Sequence, residues 1–495
     1  MPRRRLPGRR ARPLSAALLL AAAPPETQAP LLQRAPSPGP TEVVLGHSGA
    51  GGAAAAPGPF DGPSPWPAIR RARIARLLPA AMREAGVDAW VVLLRENAND
   101  PLALHVGGEN AGAPSAVLVF RGAGAGSGAD GGDRVRTVML AGFGEAIALR
   151  ELALHDSVVV TDGSAAGLER AIAERLAAVD PARIAVNSGG SGMADGLSWT
   201  QRTGLERALG PALAARLVPA EPMVRAWLAV KLPEEVAVMR RAAALTVRLE
   251  EEAYATIVPG VTRDRDLATF LKRRMRELGV EDGWSPAQNP SVNSGPDRGH
   301  SHASDRVIQP GDVIQTDFGI KVHGVWVTDI QRFAYVLRPG ETAPPSAVER
   351  RWRHAVAGGR AAFRAMRPGA TGAQVDSAQR LAMAAAGSLP VPWGTGHAVG
   401  YWAHDAGPGL NRRETQALAA GHVLAFDGFH AWAFDERAGG GATPAPAWGA
   451  GTKTISVEEM AVVTPDGAEY LVPPQERLIL VPARGTARGR APAAR

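Results

Sequence analysis

Four segments in the C-terminal half of the chain place ligand-type side chains on apolar, strand-like runs. GDVIQTDFG (311–319) ends its run at Asp317, and WVTDIQR (326–332) carries Asp329 inside one. GTGHAVG (394–400) presents His397 and is followed by His404-Asp405, while ISVEEMAVV (455–463) is an apolar run interrupted by Glu458 and Glu459. A buried carboxylate without a partner costs several kcal/mol. Acids on neighbouring strands with no Lys or Arg to match them nearby therefore imply a cation. Carboxylates with one imidazole suit Mn, Co, Fe or Zn, and two ions rather than one would balance several carboxylates. Taken singly, each Asp reads as a turn or cap residue, and His397 between glycines could be a structural histidine. The argument rests on the ordered set. The chain has no cysteine, which excludes disulfides, thiolate catalysis, cysteine zinc sites and iron–sulfur clusters.

The elements that must position these residues occupy two regions. Residues 66–230 alternate strand-like and helical patterns, as an α/β domain does. Ile74, Leu77, Leu78, Ala81, Met82 and Ala85 recur at helical spacing up to Gly86, and strands are expected over 89–94, 116–120, 135–141, 157–161 and 183–186. A helix is expected over 167–178. The glycine-rich stretch 122–133 opens no helix, so it is not a dinucleotide fingerprint. A second domain, 231–484, starts with Pro233-Glu234-Glu235 at a helix N-terminus and runs to about Tyr254. A further helix follows Thr262, with Leu267, Phe270, Leu271, Met275 and Leu278 on its apolar face and Gly279 at its end.

The chain of 495 residues carries a formal charge of +7, but the basicity is terminal. Residues 1–23 hold six Arg and no acid, and 484–495 hold four Arg and no acid, leaving the body near −3. A nucleic-acid partner loses its main support. Basic residues followed by the apolar run 14–23 read as a signal peptide, with Ala21 and Ala23 flanking a small-residue cleavage site. That implies a periplasmic or secreted protein, and a cytoplasmic one if the segment is not a signal. The run is too short to span a bilayer. Residues 24–65 read as a Pro/Ala/Gly-rich linker and 485–495 as a basic tail.

Over residues 231–481, the anchors GDVIQTDFG, TDIQR, GTGHAVGYWAHD and SVEEMAVVTPDG, in that order, resemble the pita-bread metallopeptidases. These include Xaa-Pro aminopeptidases, Xaa-Pro dipeptidases and the metal-free creatinase. The resemblance implies an α+β chain, with a creatinase-like N-terminal α/β domain ahead of a pita-bread domain. It implies a dinuclear site of Asp317, Asp329, His397, Asp427 and Glu458, with Glu458 bridging two divalent ions. Manganese is the first choice of ion, with Co, Zn or Fe also fitting. His300 and His404 match the histidines that contact substrate, with His302 a competitor for the former. Asp427 would be both ligand and general base. The implied activity is removal of a peptide's first residue before proline, by a homodimer.

Three departures stand out. Asp427 replaces a Glu, Ser456 replaces an Arg two residues before the bridging acid, and residues 435–452 form an insertion. One extra residue also falls within 321–327. The alternatives are a metal-independent hydrolase or a catalytically silent binding protein on the same fold. Glu459 is expected to be solvated or to stand behind the ligands.

Overall fold

All six residues of β1 (Ala89–Leu94) are buried, as expected of a central strand covered on both faces. In the computed structural model, β2 (Ser115–Gly122), β3 (Arg134–Gly142), β4 (Ser157–Thr161), β5 (Ile184–Val186) and β6 (Leu217–Pro219) assemble around it in the order β4-β3-β2-β1-β5-β6. The β1–β2 and β2–β3 pairs are antiparallel and the other three are parallel. The expected strands are present, and the expected 167–178 helix spans Ala165–Val179. The single periodic helix expected from Ile74 to Ala85 is instead two, Trp66–Arg76 and Leu78–Glu84. Pro79 cannot donate the backbone hydrogen bond that would continue the first.

The structure describes residues 58–122, 134–295, 302–433 and 452–483. The expected leader 1–23, most of the expected linker, residues 123–133, His300, residues 435–451 of the expected insertion and the expected tail 485–495 lie outside them. The described residues belong to one compact unit, which begins at Pro57. No helix among them is long and apolar enough to cross a membrane.

The second sheet is built from β8 (Ser291–Ser294), β9 (Val313–Phe318), β12 (Ile330–Val336), β13 (Gly396–Ala398), β14 (Val423–Ala433) and β15 (Thr452–Thr464), in the order β13-β14-β15-β12-β9-β8. Strand β16 (Gly467–Tyr470) adds to β15, and β17 (Ile479–Val481) adds to β12. A small sheet joins β7 (Glu281–Asp282), which precedes β8, to β10 (Ile320–Val322) and β11 (Trp326–Val327), which lie between β9 and β12 in sequence. The β10–β11 turn places His323 and Gly324 at φ 51° and 67°. Helix Pro233–Ala255 starts as expected, with Pro at its first turn and Glu234 and Glu235 beside it. It buries Val238, Met239, Ala242, Leu245 and Leu249, a 3–4 spacing that makes one apolar stripe. The helix expected after Thr262 spans Asp264–Glu277. The chain is α+β.

Buried charges tie the first sheet's helices to the second sheet. Arg73 is fully buried, and its Nη1 donates to Glu235 Oε2 at 2.6 Å and to the Val230 carbonyl at 2.8 Å. Glu235 Oε1 accepts from Tyr401 Oη at 2.5 Å and Trp326 Nε1 at 3.2 Å. Lys231 Nζ meets Asp405 Oδ2 at 2.9 Å, also out of solvent. Tyr401 and Asp405 belong to the segment that carries His397 and His404, so this network fixes the backbone beneath two candidate site residues. Arg73→Ala strands Glu235 without its strongest donor. Urea unfolding should show a loss of about 3–5 kcal/mol, and a loss under about 1 kcal/mol would show that the network contributes little.

Candidate metal centre

Cross-strand register assembles the site. Asp317 pairs with Gln331, Gln331 with Glu458, and Glu458 with Asp427. These four residues form one row across β9, β12, β15 and β14. Directly opposed residues project to the same face, so the row presents its side chains together. Asp329 precedes Gln331 by two and shares its face. His397 pairs with Ala425, two before Asp427. The expected residues Asp317, Asp329, His397, His404, Asp427 and Glu458 thus line one cavity of about 560 Å³, with Trp393 and Phe429 as apolar wall.

Close backbone approach sets β13 and β14. A Cβ on Gly428 would collide with the Ala355 carbonyl of helix Ser346–Ala365, and one on Gly396 with the Ala425 carbonyl. The Asp427 N–H donates to the Thr395 carbonyl at 2.9 Å, and Thr395 is held in turn by Asp376 Oδ1 at 2.9 Å. Gln379 Nε2 donates to the Asp427 carbonyl. Both ligand strands are therefore anchored to helix Gly372–Ala385.

The electrostatics favour a cation. Asp317, Asp329 and Glu458 are buried, and one atom from each lies within 4.8 Å of the others. Burial, then the charges of Glu458, Asp317 and Asp427, push the Asp329 carboxyl well above its usual range. Burial, Glu458 and Asp317 do the same to Asp427, whose buried Oδ1 has no hydrogen-bond partner among the described residues. His397 Nε2 is 3.8 Å from Asp329 Oδ2 and 3.7 Å from Glu458 Oε1. Burial, with His404 alongside, lowers its pKa to about 4. A neutral ring donating Nδ1–H to the Ala398 carbonyl, 3.1 Å away, turns the Nε2 lone pair toward those carboxylates. A lone pair facing carboxylates is repulsive unless a cation lies between, so the donor set fits divalent ions.

Other sequence expectations resolve unevenly. His404 stacks edge-on against His397 with ring centroids 4.1 Å apart. It also forms a cluster with Asp329 and His397 whose ligand atoms lie within 4.8 Å of one another, so its position suits a ligand as well as a substrate contact. His300 lies outside the described residues, and His302 is exposed. Glu459 is not solvated: it is buried and pairs with Arg332 at 3.0 Å. The Arg332 charge is thereby directed to Glu459 rather than to the ligand carboxylates.

Gln331 is the site residue that sequence reasoning passed over. Its Nε2 donates to Glu458 Oε2 at 2.9 Å, and its Oε1 accepts from Gln315 at 2.7 Å and Ser456 at 3.1 Å. Ser456 thus joins an uncharged chain that orients Glu458. The i+2 spacing of Gln331 from Asp329 was the available signal. Gln331→Ala should weaken divalent-ion binding about 10–100-fold, the usual effect of removing a partner behind a ligand. Calorimetric titration reads this, and an unchanged affinity would show the Gln331–Glu458 bond to be idle.

Residues 237–465 match the model of metallopeptidase family M24. A protein of Mycobacterium bovis named "Probable dipeptidase PepE" is 30% identical over 278 residues, which cover 55% of this chain and 66% of that protein. The match thus spans just under two thirds of that relative's length. Among solved structures, an Xaa-Pro dipeptidase from Bacillus anthracis superposes with TM-score 0.61 at 19% identity, over 84% of this chain and all of the other. The dipeptidase PepE of Mycobacterium ulcerans gives TM-score 0.61 at 23% identity, over 84% and 99%. Register, ligand set, family match and superposition agree: residues 237–465 form a domain of metallopeptidase family M24 on the pita-bread fold.

Proposed function

We propose that this chain is a divalent-metal-dependent aminopeptidase or dipeptidase that removes the first residue of a peptide, with proline as the second residue. The observation that carries this is the row of Asp317, Glu458 and Asp427 beside Asp329 and His397 in one cavity. The names of the relatives support the peptide substrate.

Asp317, Asp329, His397, Asp427 and Glu458 would hold two divalent ions. Bound divalent ions polarise a carbonyl and bring the pKa of a water near neutrality. Asp427 would take the proton from the attacking water as general base. Asp427 is one methylene shorter than Glu, and the close packing of Gly428 on Ala355 fixes the backbone that must carry the shorter arm. His404, exposed at the cavity edge, would steady the oxyanion or the substrate backbone. His300 is assigned the same role from its sequence match.

The reading takes manganese as the ion, a homodimer as the assembly and export as the destination, the last from the leader at residues 1–23. Proline preference is tested by following release of alanine from Ala-Pro-Ala and Ala-Ala-Ala with Mn²⁺ present. Faster release from the proline peptide is expected. Equal rates would remove proline from the proposal and leave the peptidase.

A further inference from the structure

Strands β14 and β15 pair along their whole shared length, from Val423↔Val462 to Ala433↔Thr452. Strands β12 and β15 pair at a single position, Gln331↔Glu458. Past that point β12 pairs with β17 instead, and a second cavity of about 190 Å³ lies against Phe333 of β12 and Lys453, Thr454 and Ile455 of β15. It adjoins the metal centre. Thr454 lines both cavities, and Gln315, which lines the second, donates to Gln331, which lines the first.

The chemistry of the two cavities is opposite. The metal centre is walled by carboxylates, whereas no Asp or Glu among the described residues lines the second cavity. Three cationic side chains do: Arg338, Arg351 and Lys453. Arg338 is answered by Glu341 at 3.1 Å. Arg351 forms no ion pair among the described residues, and its guanidinium lies over the Trp432 ring, 4.1 Å from the centroid. Burial and the neighbouring Arg350 loosen its hold on its proton, the direction expected where no anion faces it. Trp432 also lines the cavity, and its buried Nε1–H has no acceptor among the described residues. A guanidinium and an indole N–H held against apolar walls form a donor set for a carboxylate.

We infer that this cavity is a carboxylate subsite, and that it holds the free C-terminus of a short peptide whose N-terminal end lies at the metal centre. The inference rests on the peptidase reading and narrows it to short peptides with a free carboxyl end, rather than the N-termini of folded proteins. Arg351 provides the charge and Trp432 the second donor. Phe333 and Ile455 take the last side chain.

Binding to the metal-free protein tests this without turnover. Calorimetry would compare Ala-Pro-Phe, its C-terminal amide and the amide of Ala-Pro-Glu. The free acid should bind about tenfold or more tighter than its amide, the usual effect of a charge-assisted hydrogen bond. Arg351→Gln should remove that difference and Arg351→Lys should keep part of it. Equal binding of acid and amide, no measurable binding of either, or discrimination unchanged in Arg351→Gln would overturn the subsite. If the Glu amide binds as tightly as the free acid, the cavity reads side chains and the C-terminal assignment fails. Discrimination without hydrolysis in the Mn²⁺-loaded protein sinks the peptidase reading and leaves the subsite standing. Equal hydrolysis of acid and amide at low concentration sinks the subsite alone.

Discussion

Asp329→Ala should abolish the proposed metal-dependent peptide hydrolysis and leave the protein folded. Asp329 is the residue common to both metal-ligand clusters, the one with His397 and His404 and the one with Asp317 and Glu458. Its removal breaks both. Loss of a partner behind a ligand already costs 10–100-fold, so turnover should fall by more than about a hundredfold at any ion concentration. The substitution carries a second signature. In the metal-free protein, burial and three neighbouring carboxylates disfavour the charged form of Asp329, so alanine relieves repulsion. Metal-free Asp329→Ala should melt no lower than metal-free wild type at neutral pH, while losing the wild type's rise in melting temperature on adding ion. A variant that melts well below wild type would show Asp329 to be a structural residue. Retained activity would remove it from the site.

Without ion, the contribution of Asp329 and Asp427 to wild-type stability should fall as pH rises, and the gain from added ion should grow with pH. The carboxyl groups of Asp329 and Asp427 bind protons more tightly folded than unfolded. Below the unfolded carboxyl range, near pH 4, both states are protonated and the contribution of these groups is present in full. As pH climbs toward the folded pKa values the native state holds more protons than the unfolded one, and stability is lost. A divalent ion replaces those protons. His397, titrating at about 4, is already neutral above that pH and does not resist it. At about a thousand times its Kd an ion contributes roughly 4 kcal/mol, on the order of 5 °C in melting temperature for a protein of this size. That shift should be present at pH 7.5 and nearly absent at pH 4.5. An ion-induced shift that stays the same across this range would place binding at groups other than the buried carboxylates.

The ligand strands were legible because acids and a histidine interrupt apolar runs, and a sheet face that must stay dry tolerates that only for a purpose. Asp427 became visible through its family match, since FDG within a strand carries no periodic signal of its own. The α/β alternation of the first domain placed its strands, but Pro79 divided a helix whose apolar spacing ran straight through it. What local sequence could not supply was pairing at a distance. For Glu459 the sequence left a solvated acid and one behind the ligands both open, and only the pairing with Arg332 of another strand excludes the first. Arg73 and Glu235 stand 162 positions apart, and no spacing rule joins them. Gln331 carries no charge to attract notice, yet it links Glu458 to Gln315 and Ser456. Ser456, conspicuous as a missing arginine, is thus part of a neutral hydrogen-bonded chain.

The central claim is that the carboxylate–histidine row is a metal centre for peptide hydrolysis. The most direct measurement follows alanine release from Ala-Pro-Ala on one preparation: stripped with chelator, then reloaded with Mn²⁺, with bound metal determined at each step. The account predicts no release from the stripped protein, and release that returns in proportion to bound metal. Release that survives complete removal of metal, or stays absent once the row is fully loaded, would contradict it.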